Sequence, residues 1–202
     1  MRSTPIGALV VDLGGVAARF RPDRRLTALA SATGLDERVI HERLFASGFD
    51  ARCETGELTV EETVSGALAA LDEKIAADAL TELWALAFEP IDEVLDHVRS
   101  ATARCVLLTN NGPLLGACLA GPLRPLAAAF DDVVCSWQLR ATKPDPRAFE
   151  RAAGLLRMRP EQLVLLDDSV VNVEAALLLG WHAVVVGDVG DVEDAISQYS
   201  AW

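Results

Sequence analysis

The sequence predicts an α/β fold in which a doubly wound parallel sheet of five strands carries an inserted α-helical cap subdomain. Three observations lead to this prediction. Five short runs are continuously apolar, helical patterns separate the later runs, and residues 18–90 contain helical patterns only. Apolar runs without alternation are typical of parallel strands covered on both faces. Strand–helix alternation is typical of a doubly wound, Rossmann-like sheet.

The candidate strands are the five apolar runs at residues 8–11, 105–108, 133–135, 163–166 and 183–186. Helix signals follow two of the later runs. Asp145 and Pro146 are suited to the N-cap and the first position of a helix. Gly180 is placed as a helix terminator after the apolar stripe that contains Val173 and Leu177.

The helical stretch between the first two strands is too long for a simple crossover. Thr59 and Glu62 match a capping box that opens one of its helices. We therefore predict a core domain of residues 1–17 and 91–202 and a cap of residues 18–90 above Asp12. The candidate cap helices are residues 24–32, 37–46, 60–71 and 75–88.

Composition excludes several classes of function. The chain has 202 residues, 51% of them hydrophobic, and a formal net charge of −12. Nucleic acids and anionic membranes require a basic surface, so neither is an expected partner. The apolar run at residues 6–11 is too short for a signal peptide, and no apolar stretch reaches ~20 residues. We expect a soluble, cytoplasmic protein, whose oligomeric state the sequence leaves open. Cys105 and Cys135 lie in apolar runs and are expected to be buried thiols.

Polar side chains stand where three of the predicted strands end. Ligands of open α/β sheets bind beyond the carboxyl ends of the strands, so we expect these side chains to meet at one point. Each motif alone is common at turns and helix starts, but their joint occurrence at strand ends favours a site. The set is Asp12, Thr109, Asn110, Lys143, Asp167 and Asp168.

These residue types suit phosphoryl transfer. A strand-end carboxylate such as Asp12 can attack phosphorus and carry the phosphoryl group. Lys143 can neutralise both the nucleophile and the phosphate. The Thr109 hydroxyl and the backbone N–H groups of Asn110 and Asn111 can donate hydrogen bonds to phosphate oxygens.

The same set offers oxygen ligands for Mg²⁺, which takes few protein carboxylates. Asp168, with Asp167 beside it, supplies carboxylates, and the backbone carbonyl of Gly14 could supply a further oxygen. Gly14 and Gly15 also let the backbone approach a ligand closely.

Four motifs resemble those of the haloacid dehalogenase (HAD) superfamily in their order and spacing. The intervening insert resembles the branch with a C1-type α-helical cap, as do residues 52–59. Within that branch the chain is similar to bacterial α-D-glucose-1-phosphate phosphatases and to the N-terminal phosphatase domain of soluble epoxide hydrolases. The motifs are Asp12-Leu13-Gly14-Gly15-Val16, Leu108-Thr109-Asn110-Asn111, Lys143-Pro144-Asp145-Pro146 and Leu166-Asp167-Asp168 followed by Asn172.

The resemblance implies a Mg²⁺-dependent phosphatase that hydrolyses a small, sugar-phosphate-like metabolite through an aspartyl-phosphate intermediate. It implies Asp12 as nucleophile, Thr109, Asn110 and Lys143 as phosphate contacts, and Lys143 as a catalytic charge. The implied Mg²⁺ ligands are Asp12, the Gly14 carbonyl and Asp168, with Asp167 orienting them.

One position departs from the pattern. Most phosphatases of the family carry a second Asp two residues after the nucleophile, as general acid and base, and here that position is Gly14. General acid–base catalysis is typically worth about 10²–10⁴-fold in rate. If the acid lies elsewhere, the cap residues Asp50, Glu54 and Glu57 are the next candidates.

Two alternatives follow from these observations. The absent acid is compatible with a catalytically weak phosphate-binding or regulatory protein that kept the fold. A haloacid dehalogenase is the less favoured alternative, because such enzymes need no metal and would not need the Asp167-Asp168 pair.

Overall fold

The five predicted strands form one parallel sheet in the computed structural model, which describes residues 5–199. The strand order is β5-β4-β1-β6-β7, so β1 lies in the centre with Asp12 at its carboxyl end. The strands of the described chain are β1 (Ala8–Val11), β2 (Ala18–Phe20), β3 (Phe88–Pro90), β4 (Arg104–Thr109), β5 (Asp132–Cys135), β6 (Leu163–Asp167) and β7 (His182–Val185).

The central strand contributes to two hydrophobic clusters. Leu9 and Val11 belong to one cluster, and Ala8 and Val10 belong to the other. Because successive side chains of a strand point to opposite faces, the sheet is covered on both sides. The predicted doubly wound fold is confirmed.

An antiparallel ribbon joins the two ends of the insert. Strand β2 pairs with β3, with Ala18 opposite Pro90 and Phe20 opposite Phe88. The expectation that residues 18–90 contain no strand was wrong. Each strand has three residues, too few for a periodic signal, and the pairing joins segments far apart in sequence.

The insert is otherwise helical. The capping box is confirmed, with Glu62 N–H donating to Thr59 Oγ1 at 3.1 Å and Thr59 N–H donating to Glu62 Oε2 at 2.8 Å. The sequence missed α3, and the helix expected over residues 75–88 ends earlier. The cap boundaries at residues 18 and 90 stay a prediction. The elements are α1 (Pro22–Thr33), α2 (Glu37–His41), a π-helix (Glu42–Ala46), α3 (Phe49–Glu54), α4 (Val60–Ala70) and α5 (Ala77–Ala85).

Helices also connect the strands of the sheet. The Asp145 side chain caps α10 by accepting from Arg147 N–H at 2.9 Å, as predicted. In the described part of the chain no helix is both long and apolar enough to cross a membrane. These helices are α6 (Asp92–Ser100), α7 (Pro113–Ala120), α8 (Arg124–Ala127), α9 (Ser136–Leu139), α10 (Pro146–Leu156), a 3₁₀ turn (Pro160–Gln162), α11 (Val170–Leu178) and α12 (Val189–Tyr199).

The cysteines are buried free thiols. Burial raises the pKa of Cys105 to about 11 and that of Cys135 to about 12, so both remain protonated at neutral pH. The expectation of buried thiols is confirmed for these two residues.

Candidate active site

A cavity of about 230 Å³ opens where β1, β4 and β6 end. Residues of the sheet loops form one side of it, and residues of the helical insert form the other. All the sequence-predicted site residues line it. The lining residues are Asp12, Gly14, Phe20, Arg25, Asp50, Glu54, Phe88, Thr109, Asn110, Asn111, Lys143, Asp167, Asp168 and Asn172.

A buried ammonium group links the ends of three strands. Lys143 Nζ donates to Asp12 Oδ1 at 2.7 Å, to Asp167 Oδ2 at 2.5 Å and to the carbonyl of Leu108 at 3.0 Å. The Lys143 side chain is 1% exposed, so water screens these interactions little. The network fixes the carboxylate of Asp12 in one position at the floor of the cavity.

The main chain of Lys143 is held by Asn110, at the end of β4. Asn110 Nδ2 donates to the Lys143 carbonyl at 2.7 Å, and Lys143 N–H donates to Asn110 Oδ1 at 2.8 Å. The Asn110 side chain therefore positions the lysine. A contact from Asn110 to phosphate would have to come from its backbone N–H group.

The loop after Thr109 differs in one detail from the sequence-based expectation. Asn111 N–H donates to Ser136 Oγ at 3.0 Å, so it is not free to join the predicted phosphate cradle. The Asn111 side chain instead donates to Thr109 Oγ1 at 2.8 Å, which leaves the Thr109 hydroxyl proton available. Thr109 itself is 2% exposed and faces the cavity.

Asp167 is fully buried, and both of its oxygens already accept hydrogen bonds. Oδ1 accepts from Ser169 N–H at 3.0 Å and from Asn172 Nδ2 at 2.9 Å, while Oδ2 accepts from Lys143. Asp167 therefore positions the Lys143 ammonium group, which donates to it.

Two carboxylates share one ammonium at this floor. Burial raises the pKa of Asp12 to about 6, because the attraction of Lys143 only partly offsets desolvation and Asp167 adds repulsion. Burial disfavours the charge of Lys143, but Asp12 and Asp167 outweigh it and raise its pKa. Burial and the neighbouring Asp167 also raise the pKa of Asp168. The floor is thus short of positive charge.

The donor set fits a hard divalent cation. Ligand oxygens of Asp12, Asp167 and Asp168 lie within 4.8 Å of one another. Carboxylate oxygens at this spacing suit Mg²⁺, and the cation would supply the positive charge that the floor lacks. Because Asp167 is already engaged, Asp12 and Asp168 are the better placed direct ligands.

The two glycines of the first motif have different roles. Gly15 has φ +94°, and a Cβ there would collide with the carboxylate of Asp168, so this position admits only glycine. A Cβ on Gly14 would meet Phe20 Cβ at 3.7 Å, an ordinary contact. The absence of a carboxylate at Gly14 is therefore a property of the sequence rather than a steric requirement.

A buried arginine on the cap side was not predicted from the sequence. Arg25 is 4% exposed, and its Nε has no hydrogen-bond partner in the described chain. Its guanidinium lies among four aromatic rings, and burial lowers its pKa. Those rings come from four different elements, so no local pattern indicates the contact. The distances from Arg25 Cζ to the ring centroids are 5.7 Å for Phe20, 5.4 Å for Phe45, 4.3 Å for Trp84 and 5.8 Å for Phe88.

A model of the haloacid dehalogenase-like hydrolase family matches residues 6–180. The chain belongs to this family. Among curated relatives, phosphatase MT3486 of Mycobacterium tuberculosis is 27% identical over 200 residues, covering 95% of this chain and 92% of that protein. The D-ribitol-5-phosphate phosphatase of Bacteroides thetaiotaomicron is 22% identical over 182 residues, covering 86% and 88%.

Solved structures share the fold. A HAD family enzyme from Bacteroides thetaiotaomicron, in complex with magnesium and inorganic phosphate, aligns with TM-score 0.71 and 20% identity over 91% of this chain and 96% of that one. The L-2-haloacid dehalogenase from Xanthobacter autotrophicus aligns with TM-score 0.57 and 18% identity over 88% and 76%. The fold of this HAD-like hydrolase is thus shared with a dehalogenase and with an enzyme that binds magnesium and phosphate, so the fold alone does not separate these activities.

Proposed function

We propose that this HAD-like hydrolase is a Mg²⁺-dependent phosphatase that acts on a small phosphorylated metabolite through a phosphoryl group carried on Asp12. The observation that carries the proposal is the Lys143-centred network, which fixes Asp12 beside Asp167 and Asp168. A dehalogenase would gain nothing from this concentration of negative charge, whereas a cation-assisted phosphoryl transfer uses it.

Asp12, Lys143 and Thr109 have different roles in the proposed phosphoryl transfer. Asp12 attacks phosphorus in line while Lys143 offsets negative charge at the nucleophile and on the phosphoryl oxygens. The Thr109 hydroxyl donates to a phosphoryl oxygen. Water then hydrolyses the aspartyl phosphate and returns Asp12 as a carboxylate.

Asp12 and Asp168, with the Gly14 carbonyl, are the proposed ligands of Mg²⁺, and Asp167 positions Lys143 beside them. Bound there, the cation would stabilise the charge that develops on the transferring phosphoryl group.

The size and lining of the cavity support a small substrate. Its volume of about 230 Å³ is below the range of about 300–1,000 Å³ that is usual for drug-sized ligands. Arg25, Asp50 and Glu54 supply hydrogen-bonding groups on the cap side. A compact polyhydroxylated phosphate ester fits this polar lining.

The test is phosphate release from a panel of phosphorylated metabolites, with Mg²⁺ and with excess EDTA. We expect steady turnover of at least one compound that EDTA stops and Mg²⁺ restores. Release of a single equivalent followed by stalling would support the regulatory phosphate-binding alternative. Chloride release from 2-chloropropionate in EDTA would support the dehalogenase alternative instead.

A further inference from the structure

The leaving side of the reaction lies opposite Asp12. In an in-line transfer the attacking and leaving oxygens stand on opposite sides of phosphorus. Asp12 occupies the sheet side of the cavity, so the leaving oxygen faces the cap side, where Arg25, Asp50 and Glu54 line the wall. An acid that protonates the leaving oxygen is therefore to be sought on the cap.

The three candidate acids of the cap, Asp50, Glu54 and Glu57, differ in their access to the cavity that contains Asp12. Asp50 and Glu54 begin and end the same turn of α3, four residues apart, and both line the cavity with Asp12. Residues at this spacing share one face of a helix. Glu57 lies outside that cavity and pairs with Arg52 on the surface, 3.3 Å away. Because Glu57 does not line the cavity that contains Asp12, it is less suited to be the acid than Asp50 or Glu54.

Glu54 is tied to the core through its main chain. Ser136 Oγ donates to the Glu54 carbonyl at 2.8 Å and accepts from Asn111 N–H at 3.0 Å. Just beyond, Gly56 packs so closely on the carbonyl of Trp137 that a Cβ at position 56 would collide with it. The end of α3 is thereby fixed to the loops that carry the phosphate-binding residues.

Arg25 and Asp50 form the immediate charged surroundings of Glu54. Arg25, on α1, is held by its aromatic neighbours, and among the described residues it forms no ion pair with either acid. Across the cavity stand Asp12, Asp168 and Lys143. Within residues 5–199 the Glu54 carboxylate has no hydrogen-bond or ion-pair partner, whereas Asp12 is already bound to Lys143.

We propose that Glu54 is the general acid and base of this enzyme, replacing the carboxylate that Gly14 lacks. The inference rests on the proposed phosphatase function. As the P–O bond to the leaving group breaks, the Glu54 carboxylic acid gives its proton to the leaving oxygen, and the alcohol departs. The Glu54 carboxylate then accepts a proton from the water that attacks phosphorus, which releases phosphate and restores both Asp12 and the acid.

The electrostatics of Glu54 support this role. The pKa of Glu54 is raised to about 7, chiefly by burial and also by repulsion from Asp50, while the attraction of Arg25 opposes the shift. A pKa near the operating pH is the value that suits a group which both donates and accepts a proton.

The first test uses leaving groups of different basicity. A substituted phenolate such as p-nitrophenolate needs little protonation, whereas an alkoxide needs it. In Glu54→Gln we expect kcat/KM, which reports transfer of the phosphoryl group to Asp12, to fall by about 10²–10⁴-fold for an alkyl phosphate and by less than about tenfold for p-nitrophenyl phosphate. Retained activity on the aryl ester also shows that the variant is folded. Glu57→Gln is the matched control and should keep wild-type rates on both esters.

The results that would contradict the role of Glu54 differ from those that would contradict the phosphatase function. Equal losses of kcat/KM on both esters, or an unchanged kcat/KM on the alkyl ester, would overturn the role of Glu54. Failure of the wild type to hydrolyse any compound of the metabolite panel with Mg²⁺ would contradict the phosphatase function itself. Adding Gly14→Asp to Glu54→Gln should restore part of the alkyl phosphate activity.

The pH profile gives a second readout. In the wild type, kcat/KM for the alkyl ester should fall above about pH 7 as Glu54 loses its proton. Asp50→Asn removes a repulsion that raises the pKa of Glu54, so this alkaline limb should move to lower pH. Glu54→Gln should lack the limb, and a limb that persists unchanged in Glu54→Gln would contradict the assignment.

Discussion

The two sides of the cavity hold their charges in different ways. On the sheet side, Lys143 is bonded to both Asp12 and Asp167 at 2.7 and 2.5 Å. On the cap side, Arg25 packs against aromatic rings and Glu54 is fixed through its main chain. On the sheet side, the ion pairs of Lys143 hold the Asp12 carboxylate in one position. On the cap side, Asp50 and Glu54 form no ion pair within residues 5–199, so they are able to exchange protons with a substrate.

The largest expected effect concerns the nucleophile on the sheet side. Asp12→Asn keeps the size of the side chain but removes the attacking charge. Turnover should fall by at least about 10³-fold, or about 4 kcal/mol of barrier, with thermal unfolding little changed. Retention of more than about a tenth of the wild-type rate would remove Asp12 from this role. Asp96→Asn, which changes an exposed carboxylate on a helix, is the control and should keep the wild-type rate.

The next effect concerns the cation. Asp168→Ala should abolish phosphate release, as should EDTA acting reversibly on the wild type. Independently of activity, Mg²⁺ with beryllium or aluminium fluoride should raise the melting temperature of the wild type but not of Asp168→Ala, because these phosphoryl mimics stabilise the folded state by binding. A wild type that is fully active in excess chelator would contradict the Mg²⁺ proposal.

A smaller effect on the rate is expected when a carboxylate is introduced at Gly14 in the first motif. The space beside Gly14 accepts a Cβ, so Gly14→Asp should fold. In the Glu54→Gln background, which lacks the proposed cap acid, adding Gly14→Asp should make the dependence of the rate on leaving-group pKa flatter than in Glu54→Gln alone. The measurement is a series of substituted phenyl and alkyl phosphates under conditions where chemistry limits the rate. An unchanged slope would show that a carboxylate at position 14 does not reach the leaving oxygen.

The smallest effect concerns stability on the cap side. Since the folded-state pKa of Glu54 is raised from 4.5 to about 7, the folded protein keeps a proton that the unfolded chain has released. Glu54 therefore lowers stability as pH rises through this window. The free energy of unfolding of Glu54→Gln minus that of the wild type should therefore be greater at pH 8 than at pH 5. We expect this increase to be on the order of 1 kcal/mol after allowance for water in the cavity. Denaturant unfolding at the two pH values measures this difference, and an equal effect at both would contradict the raised pKa.

The sequence predicts the sheet side better than the cap side, for a physical reason. Parallel strands end at a common edge, so Asp12, Thr109 and Asp168 could be placed together from strand ends alone. Lys143 could be added from its motif. How Asn110 holds the Lys143 main chain could not be predicted, because that contact joins residues far apart in the chain and depends on loop geometry.

The cap side depends on tertiary packing throughout. The aromatic surroundings of Arg25 come from β2, β3, α5 and the π-helix, and no spacing within one element reveals them. Helix α3 is too short to give a periodic signal, so the separation of Glu54 from Glu57 required the structure. The ribbon of β2 and β3 was missed for the same reason.

Detection of the phosphorylated enzyme decides whether Asp12 carries the phosphoryl group. The protein is mixed with Mg²⁺ and a turned-over phosphate ester, quenched in acid within one turnover, digested and analysed by mass spectrometry. We expect a phosphoryl group on Asp12 that forms before phosphate is released and is absent from Asp12→Asn. Phosphate release at the wild-type rate with the phosphoryl group on another residue, or on none, would contradict it.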